Sequence, residues 1–556
     1  MQHQQHQPHQ RLAALPTDIW RLVARQLAET DHAPSDLLSF SRVCWAFARL
    51  GLPELYARSD DYAQGGGVLS EEDDASHVGL LFWRTIVSSC LGTTLFPYFL
   101  WITDLDLFNL DETICSLRRL RPRDLIAVFG PQIERIGIYD AWGKSLKHRD
   151  VVAKIADLVC ESILEASGEG KSSAITHMTA FALSPSCLEK LVAVLPDLTD
   201  LHCLGPQLLN GNTGTVIRSK CLNFESLDVV DPQVSSVDNH LDDFIKNLGP
   251  DTLETFQLED YLTGPEVQIL NALTRHLGSL KTLKLKLNMV SEAPMSLVEM
   301  LPGFPRLEIV SLEAERQITR ANQLIDWEDE APRHAQRIAE WLSSCSNLKA
   351  LTLVSIPFMQ QIVTRVLSSQ IRLNSLILSL LVGHLTDEFY EALSKQTELL
   401  ELNIRWRDND LPSDLRQYRQ ERLVQTIISL PKLKVLSLEE ILQQENLELI
   451  VQSLPDLEHV ELRVRKLDDR CVATLARLQS LKSVKLFGAS STATAEVTRQ
   501  FLEKLAARHQ GDFSDEPSVM FLAEGRHKGF SRKEYRSLRE QFGTDVFMMV
   551  PKPNLF

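Results

Sequence analysis

The sequence is poor in features that announce chemistry. No G-x-S-x-G, H-E-x-x-H, EF-hand loop or dinucleotide fingerprint occurs. The usual routes to an activated serine, a zinc-bound water, a calcium site or a bound nicotinamide therefore have no local signature. No two of the 9 cysteines form a C-x-x-C pair, and no N-x-[S/T] sequon is present. Odd, scattered thiols predict buried free cysteines in a reducing compartment, cytosol or nucleus. The start, Met1-Gln2-His3, has neither the basic nor the apolar region of a secretory leader. The uncharged stretch Ile86–Ile102 contains Pro97 and many small or polar residues, so it predicts a buried run entering the core rather than a membrane span. Neither is there an excess of positive charge. Of 556 residues, 58 are Lys or Arg and 74 Asp or Glu, a formal charge of −16 that repels phosphate backbones and anionic lipid. No nucleic acid, membrane, metal or cofactor is expected as a partner.

One phosphate-loop lookalike, Ser167-Gly168-Glu169-Gly170-Lys171-Ser172, lacks the glycine its motif needs, because Glu165 stands there. It predicts a helix end with Gly168 as the stop. The carboxylates Asp104 and Asp106 flank a strand and predict a solvated face rather than an acid/base pair.

What is present is a repeat. The pattern apolar-x-x-apolar-x-apolar returns at Leu253-x-x-Phe256-x-Leu258, Leu280-x-x-Leu283-x-Leu285, Leu307-x-x-Val310-x-Leu312, Leu348-x-x-Leu351-x-Leu353 and Leu373-x-x-Leu376-x-Leu378. It continues from Leu399, Leu433, Leu457 and Leu481, with weaker copies at Ile102, Ile133, Ile175, Leu198 and Phe224. The starts are mostly 23 to 29 residues apart, the leucine-rich-repeat period. Alternation at motif positions four and six predicts a short strand with one buried face. Helical stretches lie between, as at 265–277 and 468–478, the latter with Asp468 and Asp469 at its positive end. Such units bury a core only by stacking, so the predicted fold is α/β: a curved solenoid with parallel strands on the concave face and helices on the convex face. The ninth motif position is Asn only at Asn288, so no regular asparagine ladder is expected. Two long steps carry inserts, 313–341 and 405–423, which predict loops or longer helices.

The predicted organisation is a polar tail (1–11), whose His3, His6 and His9 read as low complexity rather than a chelate, and a helical module (12–58). An acidic Gly-rich loop (59–78), the solenoid (79–510) and a C-terminal cap (511–556) follow. In the module, Pro16 fits a first helical turn, Ser35 a helix cap, and Val43, Phe47 and Leu50 a third-helix stripe.

Leu15-Pro16-x-Asp18-Ile19, Val23, Leu27, Leu37-Leu38-x-Phe40-Ser41-x-Val43-Cys44-x-Ala46-Phe47 and the trailing Leu55-Tyr56 together resemble the F-box. Followed by irregular repeats, they make the chain similar to F-box/leucine-rich-repeat proteins of the divergent fungal kind. The resemblance departs at Trp45, where Lys or Arg is frequent, and in a long first connection, Glu29 to Pro34. It implies the substrate-receptor subunit of a cullin–RING (SCF-type) ubiquitin ligase, itself without catalysis, or a scaffold that acts without ubiquitin transfer. The adaptor would be Skp-type, docked on Leu15, Pro16, Ile19, Leu38, Val43, Cys44 and Phe47. The repeats would hold a protein substrate. Along the concave strip, Arg405, His459, Arg463, Lys485 and Phe487 predict a binding patch for an acidic or phosphorylated segment.

Overall fold

The computed structural model describes residues 15–30, 33–57, 72–117, 148–230, 240–262, 267–288, 301–315, 331–356, 358–381, 385–406, 413–488, 492–508, 518–523 and 546–547. Two compact units divide the chain, Met1–Glu259 and Asp260–Phe556. The polar tail, the copy at Ile133, the acidic insert Ile325–Glu330 and the basic segment 526–536 lie outside the described residues.

The first unit opens with three helices, α1 (Thr17–Ala28), α2 (Ala33–Ser41) and α3 (Trp45–Ala57). Pro16 is the residue before α1, extended at φ −54° and ψ 146°, and not part of its first turn. Helix α2 begins two residues ahead of Ser35, so Ser35 is inside it; the turn is instead tied by a 3.2 Å bond from Thr30 Oγ1 to Asp36. Val43 lies in the turn ahead of α3, outside the predicted stripe. A helix occupies Glu72–Cys90, so the acidic loop ends before residue 72 rather than at 78.

Strands β1 (Asp104–Asp106), β2 (His177–Ala180), β3 (Asp200–Leu204), β4 (Ser226–Val230) and β5 (Thr255–Leu262) follow, and each pairs with the next in parallel. Asp104 pairs directly with His177. The second unit continues with β6 (Thr282–Asn288), β7 (Ile309–Glu315), β8 (Ala350–Val354), β9 (Ser375–Leu381) and β10 (Glu401–Trp406). Then come β11 (Val435–Leu442), β12 (His459–Val464), β13 (Ser483–Gly488), β14 (Ser518–Ala523) and β15 (Val546–Phe547). All are parallel and in sequence order. This is the α/β leucine-rich-repeat solenoid, one strand per repeat, with helices in the connections. The ladder runs on through β14, where the sequence places a last strand at Val519–Leu522, and pairs once more with β15.

Motif positions four and six are the buried ones. In β12, Val460 and Leu462 are buried while His459, Glu461 and Arg463 alternate outward. Stacking needs no asparagine ladder, because the main chain does the stitching. The carbonyl at the second motif position accepts two N–H groups from the following repeat: Glu308 O from Lys349 and Ala350, Lys349 O from Asn374 and Ser375, Lys434 O from Glu458 and His459. Each repeat thereby satisfies the groups that a short strand leaves open at its start. The side chains at this position add charge pairs, Lys349–Glu308 at 2.8 Å and Glu458 held between Lys434 and Lys482 at 2.6 and 3.0 Å. Those two lysines hold the Glu458 carboxyl below the ordinary range.

Helix ends explain three other sequence features. Gly170, at φ +76°, rather than Gly168 stops the helix His148–Gly168, with Lys171 N–H bonded to Ala166 O and Gly170 N–H to Ser167 O, a Schellman arrangement. Asp106 Oδ1 accepts from the N–H of Phe108 and Asn109 at 3.0 and 2.9 Å, and so caps the helix Leu107–Leu117. Asp468 caps the helix Asp469–Leu475 through the Cys471 N–H at 3.1 Å, where the sequence placed it.

Candidate protein-binding surfaces

The N-terminal module has a small core. Ala24, Ala28, Leu37 and Phe40 are buried, and Trp20, Val23, Leu27, Phe47, Leu50 and Leu55 pack on them. Phe47 stacks on Phe40 with centroids 4.5 Å apart and meets Trp20 at 4.5 Å. It belongs to this core rather than to the module's exterior. Gly51 brings α3 onto α2: a Cβ there would lie 2.9 Å from the Phe40 ring.

A core this small cannot hold many apolar residues, and the rest face out. Leu15, Ile19, Leu22, Leu38, Val43 and Trp45 are all exposed, Val43 at 62% and Leu22 at 58%. Pro16 and Cys44 are exposed with them. Thus six of the seven residues assigned to the adaptor, all but Phe47, lie on the module's exterior. Leu22 and Trp45 join them. Leu22 falls one turn beyond Ile19 along α1, and the burial of Ala24 and Ala28, with Val23 and Leu27 packed beside them, shows which face of that helix points inward.

The module is not left to stand alone. Trp45 stacks on Phe96 at 4.5 Å, and Phe96 lies 5.5 Å from Trp101. Tyr56 meets Tyr98 at 4.7 Å and Phe82 at 6.2 Å, and Thr103 Oγ1 donates to the carbonyl of Ala57. Burial pushes the Tyr56 hydroxyl up. A helical trio too small for a self-sufficient core is thus completed by aromatic contact with the chain just ahead of the first repeat.

The second candidate surface is the outward face of β10–β13. Arg405, His459, Arg463, Lys485 and Phe487 all point outward, as their motif positions require. The register sets Phe487 beside Arg463 and Lys485 beside Glu461. Two of the cations, Arg405 and Arg463, are paired. Arg405 Nη2 reaches Glu461 at 3.2 Å, and Arg463 Nη1 lies 3.7 Å from Glu439. The strip carries charges of both signs, and some of them answer one another. Ser437, in the same outward row, is buried beneath them.

Beneath this face lies an ion pair that sequence reading missed. Arg419, on the helix Ser413–Ile427, pairs with Glu440 of β11, and both side chains are only 2% exposed. The Arg419 guanidinium lies 4.7 Å from the centroid of the Trp406 ring. Burial raises the pKa of Glu440, against the opposing pull of Arg419. The insert near 405–423 is thus in part a helix clamped to the strands by a buried charge pair. The only signal in the sequence was a charged helix with little apolar stripe.

All 9 cysteines are free, and six are buried. Burial pushes the thiols of Cys90, Cys187 and Cys221 up to about 12. Cys44 is the one fully exposed thiol. Among the described residues no group of three or more His, Cys, Asp or Glu is placed to hold a metal ion, and no helix is long and apolar enough to cross a membrane.

No family model matches the chain, and no curated protein does. Among solved structures, the chain is similar to a chain in the crystal structure of the Rad7 and Elc1 complex in yeast, at 17% identity and a TM-score of 0.41, over 68% of this chain and 92% of that one.

Proposed function

We propose that this protein is a non-catalytic substrate receptor of a cullin–RING ubiquitin ligase, working in the cytosol or nucleus. The observation that carries the proposal is the exposed apolar exterior of the N-terminal module, where Leu15, Ile19, Leu22, Leu38 and Val43 stand in solvent. Large apolar side chains gathered on one small module mark a surface meant to be covered. Leu15, Ile19, Leu38 and Val43 are among the residues through which the sequence resembles an F-box, and the expected cover is a Skp-type adaptor. The aromatic joint at Trp45, Tyr56, Phe96 and Tyr98 then fixes the adaptor to the start of the array. The strand face, with alternating outward side chains on parallel strands, serves to hold a protein.

The experiment is co-purification of the tagged full chain with the adaptor and cullin, alongside Leu15→Ala/Pro16→Ala. Adaptor and cullin captured by the wild type, and lost from the folded double variant, support the receptor. Adaptor without cullin would point to a scaffold that acts without ubiquitin transfer. Adaptor capture unchanged in the double variant would contradict docking on this surface.

A further inference from the structure

The uncharged stretch Ile86–Ile102 is buried at its two ends and exposed in its middle. Ile86, Val87, Phe99, Leu100 and Ile102 are buried, as a run entering the core should be. The turn between them is different. Leu95 is 81% exposed, more than any large hydrophobic residue of the N-terminal module.

That exposure is held in place by the fold. The helix Glu72–Cys90 closes on Gly92, at φ +67°, with Gly92 N–H bonded to Ser89 O and Thr93 N–H to Ser88 O, each at 3.0 Å. Ser89 Oγ and Thr94 Oγ1 then donate to the carbonyl of Phe96 at 3.1 and 2.7 Å. The Phe96 ring stacks on Trp45. A tied turn therefore presents Leu95 in solvent, one residue from the ring on which the module leans.

The apolar surface of the module thus does not stop at Trp45. Trp45 is still 55% exposed with Phe96 stacked on it, and it ends the exposed run Val43-Cys44-Trp45. The turn adds Leu95 beside that pair and no charge, since no residue from Thr85 to Thr103 is charged. A lone exposed leucine needs no explanation, but one that enlarges an existing apolar patch marks an interaction surface. Size points to the same occupant. A stable interface takes about 800 Å² and roughly 20–30 residues from each partner, whereas the module exposes six large hydrophobic side chains. A partner seated on them runs past the module, and the turn carrying Leu95 and Phe96 is what Trp45 touches there.

We propose that the turn at 92–97 is a second contact for the adaptor, with Leu95 as its anchor, so that the adaptor lies across the joint between the module and the chain ahead of the first repeat. This rests on the reading of the module as the adaptor site.

The test is titration calorimetry of the full chain with a Skp-type adaptor, comparing wild type, Leu95→Asp, Leu22→Asp/Val43→Asp and Leu222→Asp. Leu222 is 83% exposed and lies ahead of β4, away from the joint, so it serves as the control. Leu95→Asp should weaken binding about tenfold or more, because a carboxylate replaces an apolar contact and must be desolvated. Leu222→Asp should stay within about twofold of wild type. A melting curve checks that Leu95→Asp folds. If it melts lower, Leu95→Ala replaces it, with a loss of about fivefold expected. Binding that is lost in Leu22→Asp/Val43→Asp but indifferent to the Leu95 variant overturns this proposal and leaves the module as the adaptor site. No binding by the wild type overturns both. Self-association of the free chain that Leu95→Asp abolishes also overturns the proposal, since a second copy would then cover the turn.

Discussion

The N-terminal module and the strand face of β10–β13 expose themselves in opposite ways. The module leaves Leu22 and Val43 in water with nothing from the described chain over them, while the strands present Arg405, Glu461, Arg463 and Glu439 already joined in pairs. Apolar surface gains from being covered; exposed paired charges gain little and must be desolvated first. The lesson is that charge and aromatic residues in a sequence do not by themselves mark a binding site. What matters is whether the fold has already satisfied them.

The largest effect should come from breaking the module's side of this contrast. Leu22→Asp/Val43→Asp should weaken adaptor binding more than about a hundredfold, since each buried apolar side chain contributes roughly 1.5–3 kcal/mol and 1.4 kcal/mol is about tenfold. Melting of the free protein should be unchanged, because both side chains are exposed in it. Titration calorimetry with the adaptor and a melting curve check the two halves.

Next comes the buried counterpart of the exposed pairs. Glu440→Leu strands the Arg419 guanidinium in the interior and should cost about 3–5 kcal/mol in urea unfolding. Breaking the exposed Arg405–Glu461 pair with Glu461→Gln should cost less than about 1 kcal/mol. Equal costs would remove the distinction between the strand face and what lies beneath it.

The thiols sharpen the contrast by pH. Cys90, Cys187 and Cys221 rise from their ordinary value of 9.0 to about 12, and Cys471 to about 11. The folded state keeps these protons when the unfolded state has lost them. Their contribution is therefore intact below pH 9 and declines as pH climbs toward 11 and 12. Urea midpoints measured from pH 8 upward should be flat and then fall. At neutral pH, a maleimide should label Cys44 before any buried thiol, and bound adaptor should slow that labelling.

The repeat was legible because its physics is local. Alternating positions such as Leu402 and Ile404 report a buried strand face without knowledge of the neighbours. Asp468 could be placed for the same reason, since a cap acts three residues away. Arg419–Glu440 was invisible because it depends on where one helix lands over β11. In the candidate site, the LP start and the S-x-V-C segment marked out the N-terminal module. They could not assign Phe47 inward and Leu22 outward, because that depends on how α1 and α3 pack on α2.

The most direct test is hydrogen–deuterium exchange of the full chain with and without a Skp-type adaptor. Protection of peptides covering residues 15–22 and 38–45, with β10–β13 unchanged, is the predicted result. Protection that falls on β10–β13 and leaves the module as it was, or no protection at adaptor concentrations that saturate a known F-box, would contradict it.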